Sequence, residues 1–221
     1  MAAKQFLVVG LGRFGLSVAT SLYENGNEVM AVDIDGAVVE DVQDRVTHAV
    51  QADMTDPEAI HAIDAGSFDV AVVTIGSDLK ASALATMLLK ESGVKTVVCK
   101  AHDDTHGRLL QRLGADKIVY PERDMGRRLA HSLVLGNILD AIDVSSEVSL
   151  VEIKPLKGWV GQALRELNLP RRYGLQVVAI RDTDGLNASI RAETVIHKED
   201  VLLVICPSDA LARLAKDESA H

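Results

Sequence analysis

The sequence predicts an α/β protein: a Rossmann-like, doubly wound parallel sheet followed by a small α+β domain. Three observations carry that expectation. Apolar runs rich in Val and Ile recur at short intervals and alternate with segments of helical spacing, the first run leads into Gly10-Leu-Gly12-Arg-Phe-Gly15, and the texture changes at Val148. Runs that are apolar on both faces and separated by helices require a parallel sheet covered on both sides, joined by right-handed crossovers.

Taken in order, strands are expected at Gln5–Gly10, Glu28–Asp33, Thr47–Asp53, Phe68–Gly76, Lys95–Lys100 and Lys117–Tyr120. The helices between them are illustrated by Asp78–Ser92, where Leu79, Ala83, Thr86 or Met87, and Lys90 follow a three-and-four rhythm and Gly93 supplies the stop. After Pro121 a helical stretch carries Met125, Leu129 and Leu133 into the apolar run Leu133 to Leu139, which Gly136 and Asn137 break or bend. It reads either as a last Rossmann helix packed on its own sheet or as an element that crosses to a second subunit. The first domain is expected to be residues 1–140, with 141–147 a linker and 148–221 the second domain. There, strands are expected at Val148–Lys154, Gln176–Arg181 and Val201–Cys206, short helices at Val160–Leu167 and Ala210–Lys216, and a turn at Asp182-Thr-Asp-Gly185. A module of that size is only marginally stable alone, which favours packing in an oligomer.

The 221 residues are 48% hydrophobic and 25% charged, a globular balance that sets disordered, collagenous and disulfide-scaffold classes aside. The longest apolar run, Val201–Cys206, falls far short of the ~18 residues a membrane-spanning helix requires. The first residues enter a strand-like run at once, leaving no room for a leader, so a cytoplasmic location is expected. Cys99 and Cys206 lie inside β-branched runs and read as small buried hydrophobes. A net charge of −9 argues against general affinity for nucleic acid or anionic lipid.

Chemistry concentrates at the expected carboxyl ends of the strands. In Gly10-Leu-Gly12-Arg13-Phe14-Gly15 the glycines allow a tight turn, close approach to a pyrophosphate and helix-on-strand packing, while the helix start offers amide donors and a positive dipole end. Asp33 ends the second strand at the place where a carboxylate accepts both ribose hydroxyls, and it would repel a 2′-phosphate. NAD(H), ATP or ADP remain. Asp53 ends the third strand, either facing an adenine amino group or capping the helix before Asp56-Pro57-Glu58. Arg13, a cation at a helix start, calls for an anion nearby, in its own subunit or a neighbour's, unless it is merely solvated. Lys100 and Glu122 sit at the same edge of the sheet, although Glu122 also suits a first-turn helix acid. His102 and His106 share an i, i+4 spacing without a third metal ligand and read as a solvated helix start. Ser145 and Ser146 lack a partner arrangement, and no Tyr-x-x-x-Lys or Cys–His pairing points to a dehydrogenase or hydrolase.

Gly10-Leu-Gly-Arg-Phe-Gly15, Val32-Asp33-Ile-Asp35, Ala52-Asp53-Met54-Thr55 and Pro121-Glu122-Arg-Asp-Met-Gly126 together resemble the cytosolic regulatory subunits of Ktr and Trk potassium uptake systems, built from an RCK nucleotide-binding domain and a small RCK C-terminal domain. The resemblance covers essentially the whole chain and departs at Ala52, where the family usually has Gly. It implies a non-enzymatic subunit that binds ATP, ADP or NAD(H), forms dimers that assemble into an octameric ring, and docks on a separate potassium-translocating membrane protein of KtrB or TrkH type, at the inner face of the membrane. It further implies that Arg13 reaches phosphates across the dimer interface, that Lys100 contacts phosphate, and that Glu122 helps hold a divalent cation, Mg or Ca, near the γ-phosphate. Ile75 and Gly76, at the end of the fourth strand, complete the implied cofactor-binding set. Some relatives bind cyclic di-AMP in the C-terminal domain. The competing class, an NAD-dependent oxidoreductase with a small C-terminal domain, finds no proton donor in a recognisable constellation.

Overall fold

The computed structural model describes residues 4–76, 78–134, 137–145, 147–207 and 210. The chain forms two compact units, one ending at Glu122 and the other beginning at Arg123.

In the first unit, strands β1 (Gln5–Val9), β2 (Glu28–Asp33), β3 (His48–Gln51), β4 (Val70–Val73), β5 (Thr96–Lys100) and β6 (Lys117–Val119) form one sheet in the order β3-β2-β1-β4-β5-β6. Every pairing is parallel. Between them lie helices α1 (Arg13–Glu24), α2 (Gly36–Val42), α3 (Pro57–Ala62), α4 (Leu79–Glu91) and α5 (Asp104–Arg112). Leu7, Val8 and Val9 of β1 are buried in succession, which only a sheet covered on both faces permits. One core gathers Leu7, Val9, Leu89 and Leu110; another gathers Val8, Ala31 and Val42 on the opposite face. The strand order reverses between β1 and β4, and in an open sheet of this kind the crevice outside their carboxyl ends is where ligands bind.

The helix starts differ in a way that bears on function. Asp35, Asp56, Asp78 and Asp103 cap α2, α3, α4 and α5, each accepting a backbone N–H. Helix α1 begins at Gly12 with no side-chain cap and no acid in its first turn, so its leading N–H groups stay available.

Helix α6 (Pro121–Val134) starts at the end of the first unit. The second unit holds an antiparallel sheet in the order β10-β9-β11-β8-β7, from β7 (Ile138–Asp143), β8 (Val148–Ile153), β9 (Gln176–Asp182), β10 (Gly185–Asn187) and β11 (Val201–Pro207). Two short helices, α7 (Leu164–Leu167) and α8 (Leu169–Tyr173), cover a core of Val151, Ile153, Trp159, Leu175 and Leu202.

Two expectations are corrected here. The stretch expected as a linker begins inside β7, whose residues up to Asp143 pair with β8 and which buries Ile138 and Ala141, and the two compact units divide after Glu122 rather than at residue 140. The helix expected over Val160–Leu167 is reduced to α7, since Trp159 turns into the core through a 3-10 turn at Lys157–Trp159. The Ala210–Lys216 helix falls, beyond Ala210, outside the described residues, as do Gly136 and Ser146.

Candidate functional site

At the carboxyl ends of β1 to β4 lies a cavity of about 330 Å³ lined by Gly10, Gly12, Asp33, Asp53, Met54, Ile75 and Gly76, with Ile34, Thr55, Thr74 and Asp78 completing the wall. That volume falls in the range of small-ligand sites, ~300–1,000 Å³. The first group was expected from sequence. Thr74 was not, its one signal being a polar residue that closes the apolar run of β4, and Thr55 stood in the Ala52-Asp53-Met54-Thr55 motif without a role of its own.

The glycines do distinct work. Gly10 adopts φ +88°, where a side chain would be strained, and turns the chain out of β1. A Cβ on Gly15 would lie 1.9 Å from the Gly10 carbonyl oxygen and 2.4 Å from Thr74 Oγ1, so the third glycine lets α1 pack against its own loop. Gly12 faces open space, with nothing within 4 Å of a Cβ built there, which leaves room for a ligand to approach the α1 amides.

Asp33 is held in place by backbone donors. Its Oδ2 accepts from Leu11 N at 2.5 Å and its Oδ1 from Asp35 N at 3.0 Å. A carboxylate has about four lone-pair sites, so two remain for ribose hydroxyls. Asp35 itself is occupied as the α2 cap. Asp53 does not cap α3, a role Asp56 takes; its Oδ1 accepts from Thr55 N and Thr55 Oγ1 at 2.9 and 2.8 Å, and those bonds hold its carboxyl below the usual range.

A second cluster stands at the ends of β5 and β6. Lys100 Nζ is 2.5 Å from Glu122 Oε1 and 5.9 Å from the centre of the Phe14 ring. The Lys100 ammonium lowers the Glu122 pKa by hydrogen bonding. A Cβ on Gly76 would meet Lys100 Nζ at 3.5 Å and His102 at 3.7 Å, so Gly76 sits between cavity and cluster. Arg13 is exposed at the first turn of α1. Against the sequence reading, His106 is buried in α5 and His102 lies outside the helix, stacked on it at 5.2 Å. Cys99 and Cys206 are both buried, and neither forms a disulfide among the described residues. Among the described residues no group of three or more His, Cys, Asp or Glu could hold a metal, so Glu122 offers a cation one carboxylate and the remaining ligands would have to come from phosphate or another subunit.

The second unit has a cavity of about 390 Å³ whose lining includes Arg165, Asn168, Gln176 and Arg191. No helix among the described residues is long and apolar enough to cross a membrane.

Residues 6–121 match the TrkA-N domain and residues 148–217 the TrkA-C domain. The chain is 43% identical over 213 residues to the Ktr system potassium uptake protein C of Bacillus subtilis (strain 168), covering 96% of each. It is 37% identical over 202 residues to the Ktr system potassium uptake protein A of the same organism, covering 91% of each. Its fold is similar to that of the GsuK channel, with TM-score 0.68 at 15% identity over 96% of this chain and 39% of the channel, well under half of that protein's length. It is also similar to the TrkA-N domain of the inner membrane protein ybaL from Escherichia coli, with TM-score 0.53 at 18% identity over 60% of this chain and 98% of that one. GsuK structures include forms bound to NAD and to ADP. With both domains matched in order and 43% identity across nearly its whole length, the chain belongs to the Ktr family of potassium uptake regulatory proteins, which are not enzymes.

Proposed function

We propose that this chain is a cytoplasmic subunit that binds ATP, ADP or NAD(H) in the cavity at the ends of β1 to β4 and thereby regulates a potassium-translocating membrane protein of KtrB or TrkH type. The observation that carries the reading is a single constellation: an uncapped α1 start, an open Gly12 and an anchored Asp33 around one nucleotide-sized cavity. The amides meet the phosphates, Asp33 accepts the ribose hydroxyls and rejects a 2′-phosphate, and Asp53 and Met54 lie on the base side. The NAD- and ADP-bound forms of GsuK lend support from a protein of the same fold.

Discrimination between ATP and ADP falls to Arg13, Lys100 and Glu122. With ATP bound, Lys100 would contact the γ-phosphate and Glu122, now its ion-pair partner, would offer one carboxylate to a divalent cation whose charge would offset that of the phosphate. Assembly of dimers into an octameric ring is supported by α6, whose Met125, Leu129 and Leu133 recur at one-turn spacing and stand exposed. In the second unit, Arg165 and Arg191 give the cavity a charge suited to a ligand with two phosphodiester groups, such as cyclic di-AMP.

Titration calorimetry tests the reading. The protein binds ADP and NADH, binds NADPH more weakly, and loses roughly tenfold or more in affinity on Asp33→Ala, because two charge-assisted hydrogen bonds vanish. Equal affinity of parent and variant removes Asp33 from the site. Restoration of potassium uptake by the parent gene, but not by the Asp33→Ala gene, in a strain lacking it connects binding to transport.

A further inference from the structure

The peptide plane between Gly10 and Leu11 is gripped from both sides. Thr74 is buried just after β4, and its backbone N–H donates to the Val9 carbonyl at 2.8 Å. Its hydroxyl lies 2.5 Å from the Gly10 carbonyl oxygen and 3.2 Å from that of Val9. A hydroxyl has one proton, and the shorter contact takes it. On the other edge of the same plane, Leu11 N–H donates to Asp33 Oδ2 at 2.5 Å. Strands β2 and β4 flank β1, so each neighbour of the central strand contributes one side chain to the loop that leaves it. The Gly10 carbonyl oxygen occupies the space a side chain at position 15 would need, since a Cβ on Gly15 would lie 1.9 Å from it.

We propose that Thr74 is a positioning residue for phosphate binding: with Asp33 it fixes the Gly10–Leu11 plane so that the amides at the start of α1 face the ligand. The proposal rests on the nucleotide reading above. A rotated plane would turn the Gly10 carbonyl, an electronegative group, toward the phosphates, and Val at this position, nearly equal in size, would remove the hydroxyl donor that holds it back. Because the hydroxyl acts on the loop and not on the ligand, its effect scales with what the loop binds. Phosphate contacts suffer; the nucleoside contacts at Asp53 and Met54 do not.

The test compares parent, Thr74→Val and Thr74→Ser in titrations with ADP and with adenosine, the latter by competition. Thr74→Val weakens ADP about three- to tenfold, the loss of one hydrogen bond and the exposure of one carbonyl, while adenosine changes less than about twofold and Thr74→Ser restores ADP binding. Unchanged ADP affinity in Thr74→Val, an equal loss of ADP and adenosine, or no recovery with Ser would each overturn the proposal. Amide exchange at Leu11 in ligand-free protein separates this from the nucleotide reading: faster exchange in Thr74→Val supports the grip, and equal exchange refutes it. A parent that binds neither ligand removes the nucleotide reading, and the exchange rates then decide the grip by themselves.

Discussion

His106 is 2% exposed, and among the described residues neither of its ring nitrogens has a hydrogen-bond partner. Burial lowers its pKa first, the neighbouring His102 lowers it further, and Asp103 acts in the opposite direction. The folded protein therefore favours the neutral imidazole more than the unfolded chain does, and the unfolded chain takes up a proton below about pH 6.5. The unfolded state then binds more protons, so stability is intact above that pH and is lost as pH falls through it, by at most about 1.4 kcal/mol per pH unit for one group. Thermal unfolding followed from pH 7.5 to 5 should show the decline, and His106→Leu should flatten it. The carboxylates with lowered pKa, Asp53 and Asp116 among them, lose their hydrogen-bonded advantage near and below their ordinary value of 3.8, a separate and more acidic window. An unaltered slope in His106→Leu between pH 7.5 and 5 would sink the assignment.

Elements differ in how plainly the sequence announces them, and the differences have physical causes. The β1–loop–α1 unit is legible because three glycines at fixed spacing serve backbone geometry that only glycine meets at Gly10 and Gly15. Strand β7 is not legible. Its residues Ile138 to Ile142 continue an apolar run that starts in a helix, and a short apolar segment has no period long enough to separate helix from strand. What fixes it as a strand is the antiparallel partner β8, which local sequence does not reveal. The hydroxyl of Thr74 is hidden for a similar reason: its worth lies in a carbonyl 64 positions away. The bulge between Ile138 and Asp140 changes which face the later residues of β7 present, and that gives a direct check. Ile138, 2% exposed and in the core with Val151 and Ile153, should cost about 2–5 kcal/mol on Ile138→Ala, whereas Ile142→Ala, at a position 47% exposed, should cost under about 1 kcal/mol. Chemical denaturation measures both, and similar losses would mean that the bulge does not turn Ile142 away from the core that holds Ile138.

At the scale of the whole molecule, regulation demands more than tight binding, because a ligand held equally by two states shifts neither. Moving a gate from 1:99 to 99:1 takes about 5.5 kcal/mol, which over the eight sites of the proposed ring is roughly 0.7 kcal/mol each, less than one charge-assisted hydrogen bond. The direct effect of nucleotide on stability is larger and is confined by the architecture. The cavity at the ends of β1 to β4 belongs to the first unit, and the second unit has a separate core around Val151, Leu175 and Leu202. ADP at 100 times its Kd should add about 2.7 kcal/mol to the first unit's stability. Calorimetric scanning should therefore resolve two transitions, of which ADP raises one, and Asp33→Ala should abolish that rise while leaving the other transition in place. If ADP raises both transitions equally, the two cores unfold as one, and nucleotide energy reaches the second unit through the folding equilibrium itself rather than through a rearrangement of two independently stable units.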